Sequence, residues 1–162
     1  MLNFRKQTKF NFSKITDYLL IGTTPKPSDY EQLKKLGVDL VINMRADSKA
    51  TSNLIPTLWV PWLDIWYIRI SPRILKNAVM QSRQVIASKG KIYVYCKVGR
   101  HRSVVMAAAI LIAQGYSADK AMQLIKSKRP IADPEPNYIK KSIFNFERWW
   151  LDYLGVINRS DV

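Results

Sequence analysis

The chain has 162 residues, 48% of them hydrophobic, which suits one folded domain with a substantial core rather than a disordered segment. Its 26 Lys and Arg against 12 Asp and Glu give a formal charge of +14, pointing to anionic partners such as phosphorylated substrates, nucleic acid or an acidic membrane surface. A single cysteine excludes an internal disulfide and any multi-cysteine zinc site.

The opening "MLNFRKQTKFNFSK" lacks the charged, apolar, small-residue order of a secretory signal and reads as a basic N-terminal arm over 1–14. "YLLIG" then reads as a short strand closed by Gly22. Ser28 with Glu31 has the spacing of a capping box, opening a helix that stops near Gly37. "VDLVINM" is a continuous apolar run, as in a strand covered on both faces. "TLWVPW" is a further extended segment, and Ser71-Pro72 suits the start of a helix carrying Leu75, Ala78, Val79, Val85 and Ile86 at helical spacing.

"KIYVYC" is the next strand, rich in β-formers. A helix follows from about Arg102 to Gln114 and ends at Gly115. The apolar run 103–113 within it is too short to span a bilayer and reads as a buried helix. Ser117 with Asp119 starts another helix that ends near Arg129-Pro130. Asp133 is read as the cap of the last helix, with Ile139, Ile143, Phe146 and Trp150 on one face and a tail from 151 to 162. Alternating strands and helices predict an α/β domain over 15–150, with a central, mainly parallel twisted sheet flanked by helices. In such sheets ligands bind beyond the carboxyl ends of the strands, and Cys96 lies at one of those ends.

Between that strand and helix stands "CKVGRHRS", Cys96 to Ser103. Gly99 permits a tight turn, so that successive backbone N–H groups of Lys97, Val98, Gly99, Arg100 and His101 can form an anion cradle. The following helix N-terminus adds donors and a favourable dipole. The same surroundings favour thiolate over thiol. Arg102 can return across the loop and hold two phosphate oxygens in a bidentate grip. A nucleophile and a phosphate clamp in one loop suggest phosphoryl transfer to sulfur. A nucleotide-binding Walker loop is a poor fit, because no Gly-Lys-Ser/Thr occurs.

These residues resemble the cysteine-dependent protein tyrosine phosphatase superfamily in its small dual-specificity branch, whose motif is Cys, five residues, Arg, then Ser or Thr. The resemblance extends from about Ile15 to Trp150, taking in "VPWLDIW" upstream and the final "KRPIADPEPNYIKKSIFNFERWW", similar to the family's last two helices and the arginine-bearing loop between them. It implies a dual-specificity phosphatase fold and a metal-independent, cofactor-free reaction through a phosphocysteine. In that scheme Cys96 is the nucleophile, Arg102 and the loop hold the phosphate, and Ser103 stabilises the departing thiolate. Asp64, 32 residues before Cys96, is the implied general acid. Asp47 is a competing acid of lower rank.

The family's usual histidine before the nucleophile is replaced by Tyr95; the departure predicts a thiol that is acidic but less strongly activated. His101 is read either as a substrate contact or as a solvated loop-tip imidazole. Phosphotyrosine or phosphoserine/threonine proteins are the first substrate class. The second is an anionic phospholipid, phosphatidylglycerophosphate or a phosphoinositide, because "CKVGRHRS" is similar to the loops of lipid-directed relatives. A non-catalytic phosphate-binding module ranks lower, and no dedicated nucleic-acid motif is present. The expected location is cytoplasmic, with peripheral contact to anionic membrane.

Overall fold

A computed structural model describes residues 9–50 and 52–160. Five strands form one sheet: β1 (Phe12–Lys14), β2 (Leu19–Gly22), β3 (Val38–Arg45), β4 (Thr57–Trp62) and β5 (Lys91–Tyr95). Their order is β1-β2-β5-β3-β4. β2, β5, β3 and β4 run parallel, and β1 pairs antiparallel with β2 at one edge. The mainly parallel sheet expected from the sequence is therefore present. Its central strand is β5, the one that leads into Cys96.

The helices are α1 (Asp29–Lys35), α2 (Pro72–Ala87), α3 (Arg102–Ala113), α4 (Ala118–Lys128) and α5 (Asn137–Ser160). Side chains alternate faces along a strand, and the two faces bury separate cores. Ile92, Val94 and Cys96 belong to the larger core with the apolar residues of α2, α3, α4 and α5. Tyr93 and Tyr95 belong to the smaller one, with Tyr30 and Leu33 of α1. Helix α3 is buried from Arg102 to Ile112, which explains why its sequence is apolar all round rather than in a stripe.

Several boundaries differ from the sequence reading. Residues 12–14 of the expected arm are strand β1, while residues 1–8 lie outside the described ones. The Ser28 side chain makes no cap bond, because its backbone is itself helical, whereas a capping side chain requires an extended residue. Ser71 is extended but also makes no cap bond, whereas Ser117 accepts from Lys120 N. The expected tail is not separate: α5 continues to Ser160, and Tyr153 and Leu154 pack partly against the core.

Asp133 does not cap α5, which begins only at Asn137. Pro134 and Pro136 bias the residues preceding them away from helical backbone, which delays the start. The Asp133 carboxylate is instead engaged by Arg100 at 3.1 Å.

Candidate active site

Strand β5 and helix α3 are joined by residues 96–101. Gly99 adopts φ +72°, and a Cβ there would lie 2.6 Å from Gly22 O and 2.7 Å from Arg129 Nη2. Both the backbone conformation and the space demand glycine. The turn folds back over the thiol: Gly99 N–H donates to Cys96 Sγ at 3.2 Å, and Ser103 Oγ lies 3.3 Å from the same sulfur. Burial pushes the Cys96 thiol up, but hydrogen bonds from the Ser103 hydroxyl and from the N–H groups of Ser103, Arg100 and Gly99 outweigh it. The net result is a thiol below its ordinary pKa.

Arg102 is the first residue of α3 and is nearly buried. It donates through Nη1 to Trp62 O at 3.4 Å, and its Nε lies 3.8 Å from Asp64 Oδ2. Most of its five N–H donors are therefore uncommitted inside the site. Asp64 follows β4 and reaches the loop from the other side. Its Oδ1 accepts the Tyr138 hydroxyl at 2.6 Å, and its Oδ2 is 3.3 Å from His101 Nδ1. Three elements distant in sequence thus meet at one carboxylate: the β4–α2 loop, the Cys96 loop and α5.

The competing acid is committed elsewhere. Asp47 receives both Nε and Nη2 of Arg45, at 3.0 and 2.6 Å. This pairing holds its carboxyl at about 2, so it keeps no proton to donate near neutral pH. His101 is not the solvated loop-tip imidazole of one expectation. It is partly buried, with its ring edge-on to Tyr138, between Asp64 and Asp133. Lys97 is exposed, and Val98 is nearly half exposed. Arg100 is exposed but paired with Asp133, whose backbone N–H also binds Arg100 O at 2.9 Å.

Tyr95 points away from the thiol, into the core beneath α1. Its hydroxyl is buried facing Tyr30, and burial pushes its pKa well up, helped by that neighbour. It gives the loop no hydrogen bond, so the lowered thiol pKa owes nothing to such a bond.

Residues 19–148 match the family "dual specificity phosphatase, catalytic domain". The chain belongs to the dual specificity phosphatase family. This phosphatase is 31% identical over 127 residues to human dual specificity phosphatase 28, covering 77% of its own chain and 72% of the relative. It is 30% identical over 129 residues to the phosphatidylglycerophosphate phosphatase PTPMT1 of Arabidopsis thaliana, covering 74% of its chain but 37% of that protein. The crystal structure of human DUSP28 superposes with a TM-score of 0.78 at 26% identity, over 87% of this chain and 99% of that one. The enzyme is a cysteine-based phosphomonoester hydrolase of the protein tyrosine and dual-specificity type.

The sequence reading of the phosphatase missed two supports of its loop. Arg129 is fully buried and donates to Gly99 O and Val98 O at 2.8 and 3.1 Å. It also binds Asn11 Oδ1 and Ser13 Oγ at 3.0 and 3.2 Å, and among the described residues it meets no carboxylate. By holding two loop carbonyls from behind, it turns the adjoining N–H groups toward the thiol. Tyr138 is the second, and nothing in a helical "PNYIKK" marks a residue that will reach a carboxylate 74 positions away. The only signal for Arg129 was its place in the arginine-bearing loop that the family resemblance implied.

Proposed function

We propose that this phosphatase hydrolyses phosphate monoesters on phosphotyrosine and phosphoserine/threonine proteins. The observation that carries this reading is the Cys96 thiol, lowered by loop N–H groups and Ser103, beside a buried Arg102 with free donors. The Cys96 thiolate attacks phosphorus in line; the S–P bond forms as the P–O bond to the leaving group breaks. Arg102 and the loop N–H groups hold the equatorial oxygens as charge redistributes. Protonated Asp64 passes its proton to the leaving oxygen. As carboxylate it then takes a proton from the water that attacks phosphorus and breaks the S–P bond. Ser103 donates to the sulfur as the thiolate departs. Tyr138 and His101 hold Asp64 in place.

A second reading, hydrolysis of an anionic phospholipid head group, draws on the exposed Lys97 and Arg100 at the loop and on similarity to a phosphatidylglycerophosphate phosphatase. The free catalytic thiol suits a reducing compartment such as the cytoplasm. The test assays phosphopeptides beside phosphatidylglycerophosphate and phosphoinositides, with Cys96→Ser as control. Turnover of peptides that vanishes in Cys96→Ser, with vanadate binding retained, supports the first reading. Preference for lipids overturns the substrate class, and turnover persisting in Cys96→Ser overturns the mechanism.

A further inference from the structure

The segment that carries Asp64 also displays the largest exposed aromatic surface of the described residues. Between the end of β4 and the first turn of α2, Leu63 is 54%, Trp66 77%, Tyr67 65% and Ile74 53% exposed. This display is built, not a consequence of a loose loop. Ile70 is buried and Ile68 packs against the core. Ile65 N–H bonds Leu63 O at 3.0 Å, Ile68 N–H bonds Ile65 O at 2.9 Å, and Ile70 N–H reaches Ser142 Oγ at 3.3 Å. With Asp64 tied to α5 on one side and Ile70 seated on the other, the intervening Trp66 and Tyr67 are driven outward. Their rings meet edge to face at 5.2 Å, leaving most of both in solvent.

Apart from Asp64, the charges on this segment are positive. Arg69 and Arg73 are exposed and form no ion pair among the described residues. The sole acid between 63 and 74 is Asp64, which faces inward to Tyr138 and His101. Exposed Lys97 belongs to the adjoining Cys96 loop. Tryptophan and tyrosine flanked by arginine is the composition that sits at the head-group level of a bilayer. Each cation near an anionic leaflet adds to the attraction, and the +14 chain has the long-range charge to match. A protein partner would need a pocket to desolvate each ring, whereas the bilayer interface accepts amphipathic rings standing singly. Among the described residues no helix is long and apolar enough to cross a membrane.

We propose that residues 63–74 are a membrane-docking element, which seats Trp66 and Tyr67 among the head groups of an anionic bilayer and turns the Cys96 mouth toward that surface. The substrate phosphate is then presented at the membrane, whether it is carried by a protein or by a lipid. This inference is independent of the substrate class proposed above. The test is sedimentation of the full chain with phosphatidylcholine vesicles with and without phosphatidylglycerol, in low and raised salt, beside hydrolysis of soluble p-nitrophenyl phosphate. The wild type should sediment only with the anionic vesicles and be released by salt. A Trp66→Ser/Tyr67→Ser double variant should bind them about tenfold or more weakly, and Arg69→Glu/Arg73→Glu likewise, both hydrolysing the soluble ester within about twofold of wild type. No vesicle binding by an active wild type, or binding unchanged in the double variant, would overturn the proposal. So would a wild type that ignores vesicles while the double variant loses affinity for phosphopeptides, which would make the segment a protein-docking surface. Failure to hydrolyse the soluble ester at all would instead strike at the phosphatase mechanism.

Discussion

The Tyr138 hydroxyl donates to Asp64 Oδ1 at 2.6 Å, joining the first turn of α5 to the loop after β4. Burial and the facing carboxylate together push the tyrosine's own pKa up, so it remains a donor across the working pH range. In the reaction proposed above Asp64 is the general acid, which is effective only when held within hydrogen-bonding reach of the leaving oxygen, and this bond fixes where its carboxyl can point.

Removing that bond should therefore expose its purpose through the leaving group. Tyr138→Phe is expected to lower kcat about three- to tenfold for phenyl phosphate, whose leaving group needs a proton, and much less for p-nitrophenyl phosphate. KM should stay close to wild type for both esters. Equal losses on the two would indicate a general structural effect instead. Asp64→Asn should show the same selectivity with a loss of roughly 100-fold or more on the demanding ester.

The Cys96 thiol is lowered first of all by Ser103, against the opposing effect of burial. Thiolate forms as pH rises through the thiol's pKa, so alkylation of Cys96 by iodoacetate should climb with a midpoint below that of an ordinary cysteine. In Ser103→Ala the midpoint should move up toward the ordinary value. Breakdown of the phosphocysteine should also slow, seen as a burst of p-nitrophenol followed by a reduced steady rate. A midpoint that does not move would remove Ser103 from thiolate stabilisation.

Tyr95 contributes no hydrogen bond to the loop it precedes. The family's histidine at this position is expected to supply one. Tyr95→His should lower the thiol's alkylation midpoint further and raise turnover several-fold, roughly within tenfold. Unchanged midpoint and turnover would show that the loop N–H groups and Ser103 already saturate the effect.

Arg129 makes four hydrogen bonds while buried, two of them to carbonyls of the Cys96 loop. Arg129→Met would leave the Val98 and Gly99 carbonyls without that partner and should destabilise the fold by about 2–4 kcal/mol. For a domain of this size that corresponds to a Tm lower by roughly 4–16 °C, measurable by calorimetry. Phosphate affinity should fall as well, since the loop N–H groups would lose the brace that orients them.

Much of the candidate site's arrangement was legible because it is local. Cys96, Gly99, Arg102 and Ser103 stand within eight consecutive residues, and a strand–loop–helix junction needs only short-range backbone preferences to form. The mainly parallel sheet was equally legible, since apolar runs and helical spacing are periodic features of the chain itself. Asp64 was named from family spacing, but its surroundings could not be. Tyr138, His101 and Asp133 converge near it from positions 37 to 74 residues apart in sequence, and no pattern along the chain encodes that convergence.

What the tertiary structure alone decided follows from where side chains end up. Alternation along β5 sends Tyr95 into one core and Cys96 into the other, so neighbours in sequence are separated by the sheet. Proline spacing displaced Asp133 from a helix cap to a partner of Arg100. Packing brought Arg129 behind the loop and pressed Trp66 and Tyr67 outward beside it. The amino-acid order by itself determined which nucleophile and which cations share a loop. Long-range packing, which depends on the shapes of elements that meet only after folding, decided what braces that loop and which surface its mouth presents.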